Sequence, residues 1–223
     1  MTLRHSRNTA IMAASSALHR INQRHPWSHN DHFHRWILRR LPAARERALD
    51  VGCGRGELLN LLAERFEVAH GTDLDQQMRA AAQARNAGRV HVTVGDEQLV
   101  DLAGPYDVIS MIAVLHHLDT DEALQQVRRL LAPGGRLLVV GLARPVTFVD
   151  NAADLASALT NPVIGMIKHP RRVEPSTAGD PFPVRDPTVP YDELRVIAAR
   201  ILPGARLRRR LAFRYTLEWT KPQ

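Results

Sequence analysis

The sequence predicts an α/β fold, a doubly wound parallel sheet flanked by helices, and three observations carry that prediction. Short apolar runs alternate with helical stretches between Ala48 and Val140, the pattern of repeated strand–helix units. The first run, Ala48-Leu49-Asp50-Val51, passes directly into Gly52-Cys53-Gly54-Arg55-Gly56 and then into Glu57-Leu58-Leu59-Asn60-Leu61-Leu62. The closing segment alternates with period two: Leu207, Leu211, Phe213, Tyr215, Leu217 and Trp219 share one parity, with Arg206, Arg208, Arg210, Arg214, Thr216 and Glu218 on the other. That is half-buried strand, with the aromatics read as core.

The glycine loop limits the ligand class. Glycine has no Cβ and accepts positive φ, so three glycines allow a tight turn and close approach of a ligand to the backbone. The helix that follows directs its free N–H groups at the loop, which suits a carboxylate or phosphate. The dinucleotide fingerprint spaces its glycines G-x-G-x-x-G, whereas here they run G-x-G-x-G directly after Asp50. That spacing argues against a nicotinamide-dependent oxidoreductase.

Further acids follow at strand ends. Glu67-Val68-Ala69-His70-Gly71-Thr72-Asp73 reads as a second strand ending 17 positions past Gly56, about where Rossmann-like folds hold ribose hydroxyls. Arg89-Val90-His91-Val92-Thr93-Val94 reads as a third strand, ending in Gly95-Asp96-Glu97. Taken singly, such acids are helix caps or solvated loop residues. A fourth strand, Tyr106-Asp107-Val108-Ile109-Ser110-Met111-Ile112, precedes Ala113-Val114-Leu115-His116-His117-Leu118. A fifth, Leu137-Leu138-Val139-Val140, follows Leu130-Leu131-Ala132-Pro133-Gly134-Gly135-Arg136.

In these motifs residues 46–141 resemble the class I S-adenosylmethionine (SAM) dependent methyltransferases of the small-molecule, metal-independent type. The resemblance implies a Rossmann-like doubly wound seven-stranded sheet of order 3-2-1-4-5-7-6, with a helical N-terminal lid and an insertion after strand five. It implies SAM as cofactor, with Asp50, Gly52, Cys53, Gly54 and Gly56 around its methionine end and Asp50 facing the ammonium. Asp73 would take the ribose diol, Leu74 would pack on adenine, and Asp96, with Glu97 second, would accept the adenine amino group. Met111 on strand four is placed with the cofactor-binding residues.

Four regions follow: a helical cap over 1–45, the SAM-binding core over 46–141, an acceptor lid over 142–190, and a final helix with closing strands over 191–223. The cap reads as a helix from Asn8 to Arg24, a break at His25-Pro26, and a second helix opened at Asn30 or Asp31 and ending before Pro42. Trp27, His29 or Asn30 would touch the methionine end. His25, His29 and His32 approach a metal-ligand spacing, but Pro26 breaks the helical period and no Cys or paired acid is near, so no metal is expected. Six prolines crowd the segment from His169 to Pro190, and a connection that long is functional or disordered.

Composition is that of an ordinary soluble domain. The 223 residues carry one cysteine, Cys53, which excludes a disulfide framework, suggests a reducing compartment and reads as packing in the loop. No apolar run of about 18 residues exists to span a bilayer, and the N-terminus is a poor signal peptide, so a cytoplasmic location is expected. The net charge of +7 raises nucleic acid as a partner. Aromatics do not interleave with the basic clusters, however, and Asp107-Val108-Ile109-Ser110 is not the Asn/Asp-Pro-Pro-Tyr/Phe motif that holds base amines. An acidic or phenolic small molecule is the more economical partner.

Methyl transfer to a hydroxyl or acidic carbon also needs a base. His117 and His116, just past strand four, are the candidates, with structural packing as the alternative. Arg144 is the candidate for pairing an acidic acceptor. Catechol-type metal assistance is disfavoured because Ser110-Met111-Ile112 lacks the additional acid. The attacking atom and oligomeric state are not written in the sequence. The rival functions are a SAM-binding protein in a partner or cyclase-like role and, less favoured, a nucleic-acid methyltransferase.

Overall fold

A computed structural model describes residues 29–142, 187–210 and 214–223. In chain order it contains α1 (His29–Leu38), β1 (Arg47–Val51), α2 (Glu57–Ala63), β2 (Val68–Thr72), α3 (Gln76–Arg85), β3 (Val92–Gly95), β4 (Tyr106–Ile112), a 3-10 turn (Leu115–His117), α4 (Thr120–Leu130), β5 (Leu131–Leu142), α5 (Tyr191–Ile201), β6 (Arg206–Arg209) and β7 (Arg214–Thr220). The seven strands form one sheet of order β3-β2-β1-β4-β5-β7-β6, as the resemblance implies. β1 to β5 pair in parallel, and β7 runs antiparallel to both β5 and β6. β1 lies between β2 and β4, so the strand order reverses beside its C-terminal end, the place where open α/β sheets bind ligands.

Apolar residues on both faces bury the parallel strands. On one face Leu49, Ile109, Met111, Leu137 and Val139 pack with Leu124, Val127 and Leu130 of α4 and Leu194 and Ala198 of α5. On the other, Ala48, Val108 and Leu138 meet Leu58 and Leu62 of α2 and Ile37 of α1. Each such leucine, fully buried, contributes about 2 kcal/mol. α4 starts cleanly because Asp119 accepts the Glu122 N–H at 3.0 Å, satisfying one of the helix's orphan donors. Tyr215, Leu217 and Trp219 of β7 are buried as the period-two pattern predicts.

Three boundaries differ from expectation. α1 ends at Leu38, short of Leu41, because the Arg40 N–H turns to the Ile37 carbonyl at 2.8 Å in a tighter i−3 bond. β3 starts only at Val92: the Arg89 N–H returns to Asn86 and that of Val92 to Arg89, which leaves Val90 on a turn and 98% exposed. β5 is longer than expected. It runs through Pro133-Gly134-Gly135 with a register shift against β4 between Tyr106 and Val108, and Gly134 and Gly135 exchange hydrogen bonds with Lys221 at 2.9 Å. The first cap helix, the lid residues 143–186 with Arg144, and the turn near Leu211-Ala212 lie outside the described residues. The sheet ends at β6, where Arg206, Arg208 and Arg209 are exposed on the edge strand.

Candidate active site

The glycine loop joins β1 to α2 with Gly52, Gly54 and Gly56 all at positive φ. The three positions face different surroundings. A Cβ on Gly52 would lie 2.2 Å from Val114 Cγ2, and one on Gly56 would lie 3.0 Å from the Cα of Ala82 in α3. A Cβ on Gly54 would meet nothing within 4 Å, so this glycine alone opens onto free space. Cys53 is buried, and burial beside Asp50 and Asp73 raises its thiol well above the ordinary range, so it stays protonated and packs.

Asp50 lies beneath this loop and is only 3% exposed. Ser110, its register partner on β4, donates its hydroxyl to Asp50 Oδ1 at 2.7 Å, and a backbone hydrogen bond from Leu59 also reaches the carboxylate. Burial nevertheless pushes the Asp50 carboxyl up to about 7, with Asp73 and Glu57 adding repulsion. Its carboxyl thus sits beneath the loop rather than on its surface.

Asp73 fastens the loop to the end of β2. Its two oxygens accept the N–H groups of Gly54 and Asp75, each at 2.9 Å, and each oxygen keeps a lone pair for a further donor. The Cys53 N–H also reaches the Thr72 carbonyl at 2.9 Å. Beside it Leu74 is 72% exposed, a large apolar side chain standing at the rim. Arg79 of α3 donates to the carbonyls of Asp73 and Leu74 at 2.8 and 2.9 Å, and its other terminal nitrogen lies 3.6 Å from Asp96 Oδ2. It thereby draws the three rim residues together. Glu97 turns away from them, its Oε2 3.5 Å from His70 Nε2, while His70 Nδ1 meets the Tyr106 hydroxyl at 3.3 Å. Asp96 is the more exposed acid of the two.

The segment after β4 forms the facing wall. Ala113 has φ +58, a left-handed conformation that costs a non-glycine residue on the order of 1 kcal/mol, and its N–H is held by the Val140 carbonyl at 2.7 Å. This kink sends Val114 onto Gly52 and raises the 3-10 turn that carries His116 and His117. Their rings lie 4.1 Å apart, tilted by 38°. Burial, with His117 and Arg214 nearby, pushes the His116 imidazole down to about 4, so it is neutral at pH 7. His117 is exposed.

The structure brings Asp50, Gly52, Cys53, Gly54, Gly56, Asp73, Leu74 and Asp96 around one loop, with the two histidines opposite. Met111 does not join them: strand alternation turns it into the core with Ile109, fully buried. Sequence reasoning missed Ser110, Arg79 and the strained Ala113. Ser110 could have been found as the one polar residue in the otherwise apolar run Val108-Ile109-Ser110-Met111-Ile112; the other two leave no trace in composition.

Residues 49–137 match the family described as a methyltransferase domain. An uncharacterised methyltransferase of Mycobacterium tuberculosis is 31% identical over 205 residues, which span 88% of this chain and 98% of its own length. The chain belongs to the class I SAM-dependent methyltransferases. A ubiquinone biosynthesis O-methyltransferase of Pseudomonas aeruginosa is 26% identical over 115 residues, 49% of this methyltransferase and 50% of that one. Among solved structures, the magnesium protoporphyrin IX methyltransferase of Synechocystis with bound S-adenosylhomocysteine shares the fold. Its TM-score is 0.54 at 20% identity, covering 86% of this chain and 80% of that one. Among the described residues no helix is long and apolar enough to cross a membrane, and no cluster of His, Cys, Asp or Glu could hold a metal ion.

Proposed function

We propose that this methyltransferase acts on a small-molecule acceptor in secondary metabolism, with His117 and His116 as the groups that take the acceptor's proton. The observation that carries this reading is the open face at Gly54, framed by Asp73 on one side and the histidine turn on the other. The residues fit SAM: Asp73 has lone pairs for a ribose diol, Leu74 offers an apolar face for adenine, Asp96 can accept an amino proton, and the buried charge of Asp50 favours an ammonium above the loop. When bound, SAM supplies an activated methyl, whose bond to sulfur breaks as the bond to the acceptor forms and whose electron pair stays on sulfur.

The chain's own work is alignment, exclusion of water and proton removal. His116 is neutral at pH 7, but the burial that lowers its pKa also weakens it as a base, so exposed His117 is the better placed of the two to take a proton. The Pseudomonas relative supports an oxygen acceptor. The lid over 142–190 and Arg144 are assigned to the acceptor side by sequence alone.

Calorimetric titration with SAM and S-adenosylhomocysteine, with NADH as control, tests the cofactor frame. Wild type should bind both SAM species and not NADH, and Asp73→Ala should weaken binding about 30-fold or more, the worth of charge-assisted bonds plus the loop anchor. Unchanged affinity in Asp73→Ala would refute the ribose assignment. His117→Ala and His116→Ala should each lower turnover, by about 100-fold for whichever is the base, with SAM affinity unchanged. Full turnover in both variants removes histidine from the chemistry. Appearance of S-adenosylhomocysteine with an acceptor separates methyl transfer from a cyclase-like role.

A further inference from the structure

β7 begins at Arg214, whose register partner is Leu142, the last residue of β5, so Arg214 stands at the rim where the parallel strands end. The histidine turn rises at the same rim, since the Ala113 N–H that precedes it bonds the Val140 carbonyl two residues before Leu142, and the Arg214 charge bears on His116. Both side chains carry polar atoms that are shielded from solvent and have no hydrogen-bond partner among the described residues: Arg214 Nη1 and His116 Nδ1. Arg214 also forms no ion pair among the described residues. A shielded guanidinium without a counter-charge is costly, and neither atom repays that cost by bonding to the fold. The period-two reading had put Arg214 on the solvent parity of its strand; the structure instead half-buries it.

We propose that Arg214 and His116 form the anion-binding end of the acceptor site and select small molecules that carry a carboxylate. This rests on the methyl-transfer reading above and names its substrate class. The planar guanidinium presents paired N–H donors that match the two oxygens of a carboxylate. Neutral His116 adds one more donor when its proton is on Nδ1. The two histidines then divide the work. His116 faces the anion, and exposed His117, stacked 4.1 Å away, remains for the proton.

The test is calorimetric titration of the full chain, saturated with S-adenosylhomocysteine, with benzoate and acetate as anionic probes and benzamide as the neutral control. A carboxylate probe should bind at least about tenfold more tightly than benzamide. Arg214→Met should abolish that preference, and Arg214→Lys, which keeps the charge but loses the fork, should retain part of it. Both variants should bind S-adenosylhomocysteine as wild type does. Without ligands, Arg214→Met should melt no lower than wild type, because a shielded unpaired charge has gone. Equal binding of benzoate and benzamide, absence of carboxylate binding, or a preference that survives Arg214→Met overturns the proposal. So does a joint fall in melting temperature and S-adenosylhomocysteine affinity in Arg214→Met, which marks a structural arginine. Wild type that binds no S-adenosylhomocysteine refutes the methyl-transfer reading itself, and this inference with it.

Discussion

The two walls of the cleft handle polar groups in opposite ways. On the glycine-loop side the key groups are acids, and protein donors already hold them: Asp50 by Ser110 and Leu59, Asp73 by Gly54 and Asp75. On the β4–β7 side the key groups are bases, and His116 Nδ1 and Arg214 Nη1 have no partner among the described residues. On the function proposed above, the first wall meets the cofactor, which is the same in every turnover, and the second keeps bonding capacity for the acceptor.

Substitutions can break this contrast, and the largest effect is expected at Gly52. Its Cβ would overlap Val114 Cγ2 at 2.2 Å, on a backbone already at φ +64, so Gly52→Ala should cost about 3 kcal/mol of stability, read as a lowered melting temperature. Asp50→Asn comes next and tests whether the glycine-loop wall carries a cost. The folded-state carboxyl titrates near 7 against an ordinary 3.8, so ionisation opposes folding increasingly as pH rises between those values and fully above them. Asp50→Asn should therefore be more stable than wild type by on the order of 2 kcal/mol at pH 8 and no more stable near pH 4. Its S-adenosylmethionine affinity should fall several-fold and stay level below pH 7, where that of wild type should weaken as Asp50 protonates. A denaturation series across pH decides; equal stability at pH 8 would mean that Asp50 carries no such strain.

The smallest effect on stability, about 1 kcal/mol, is expected for Gly54→Ala, whose Cβ meets no protein atom. Its affinity for S-adenosylhomocysteine should nevertheless fall about tenfold, because the methyl occupies the ligand's side of the loop. If Gly52→Ala and Gly54→Ala behave alike, the division of labour between these glycines is wrong.

The glycine-loop wall was largely legible in the sequence. Strand, acid and glycines are consecutive between Ala48 and Gly56, and the strand-end acids recur at spacings set by the helix and strand lengths of a doubly wound sheet. Local periodicity also fixed α5 and the buried parity of β7. What escaped depends on contacts between distant segments. Ser110 meets Asp50 across 60 residues, and Arg214 comes to the rim of the histidine turn only once β7 has folded back along β5. The depth of Asp50 is likewise a matter of folding, since composition cannot say which side of a turn a carboxylate takes. Met111 failed through strand alternation: one residue's register separates a rim position from the core.

The arginine row on β6 has a consequence for how copies of this protein meet. An exposed outermost strand offers unpaired N–H and C=O groups to any other strand, and a like-for-like partner would be a second β6. Such a pairing would set Arg206, Arg208 and Arg209 against the same guanidiniums, and like charges directly opposite one another weaken a strand pair. Like charge at this margin therefore weighs against self-assembly by strand addition, where the bare backbone would otherwise invite it.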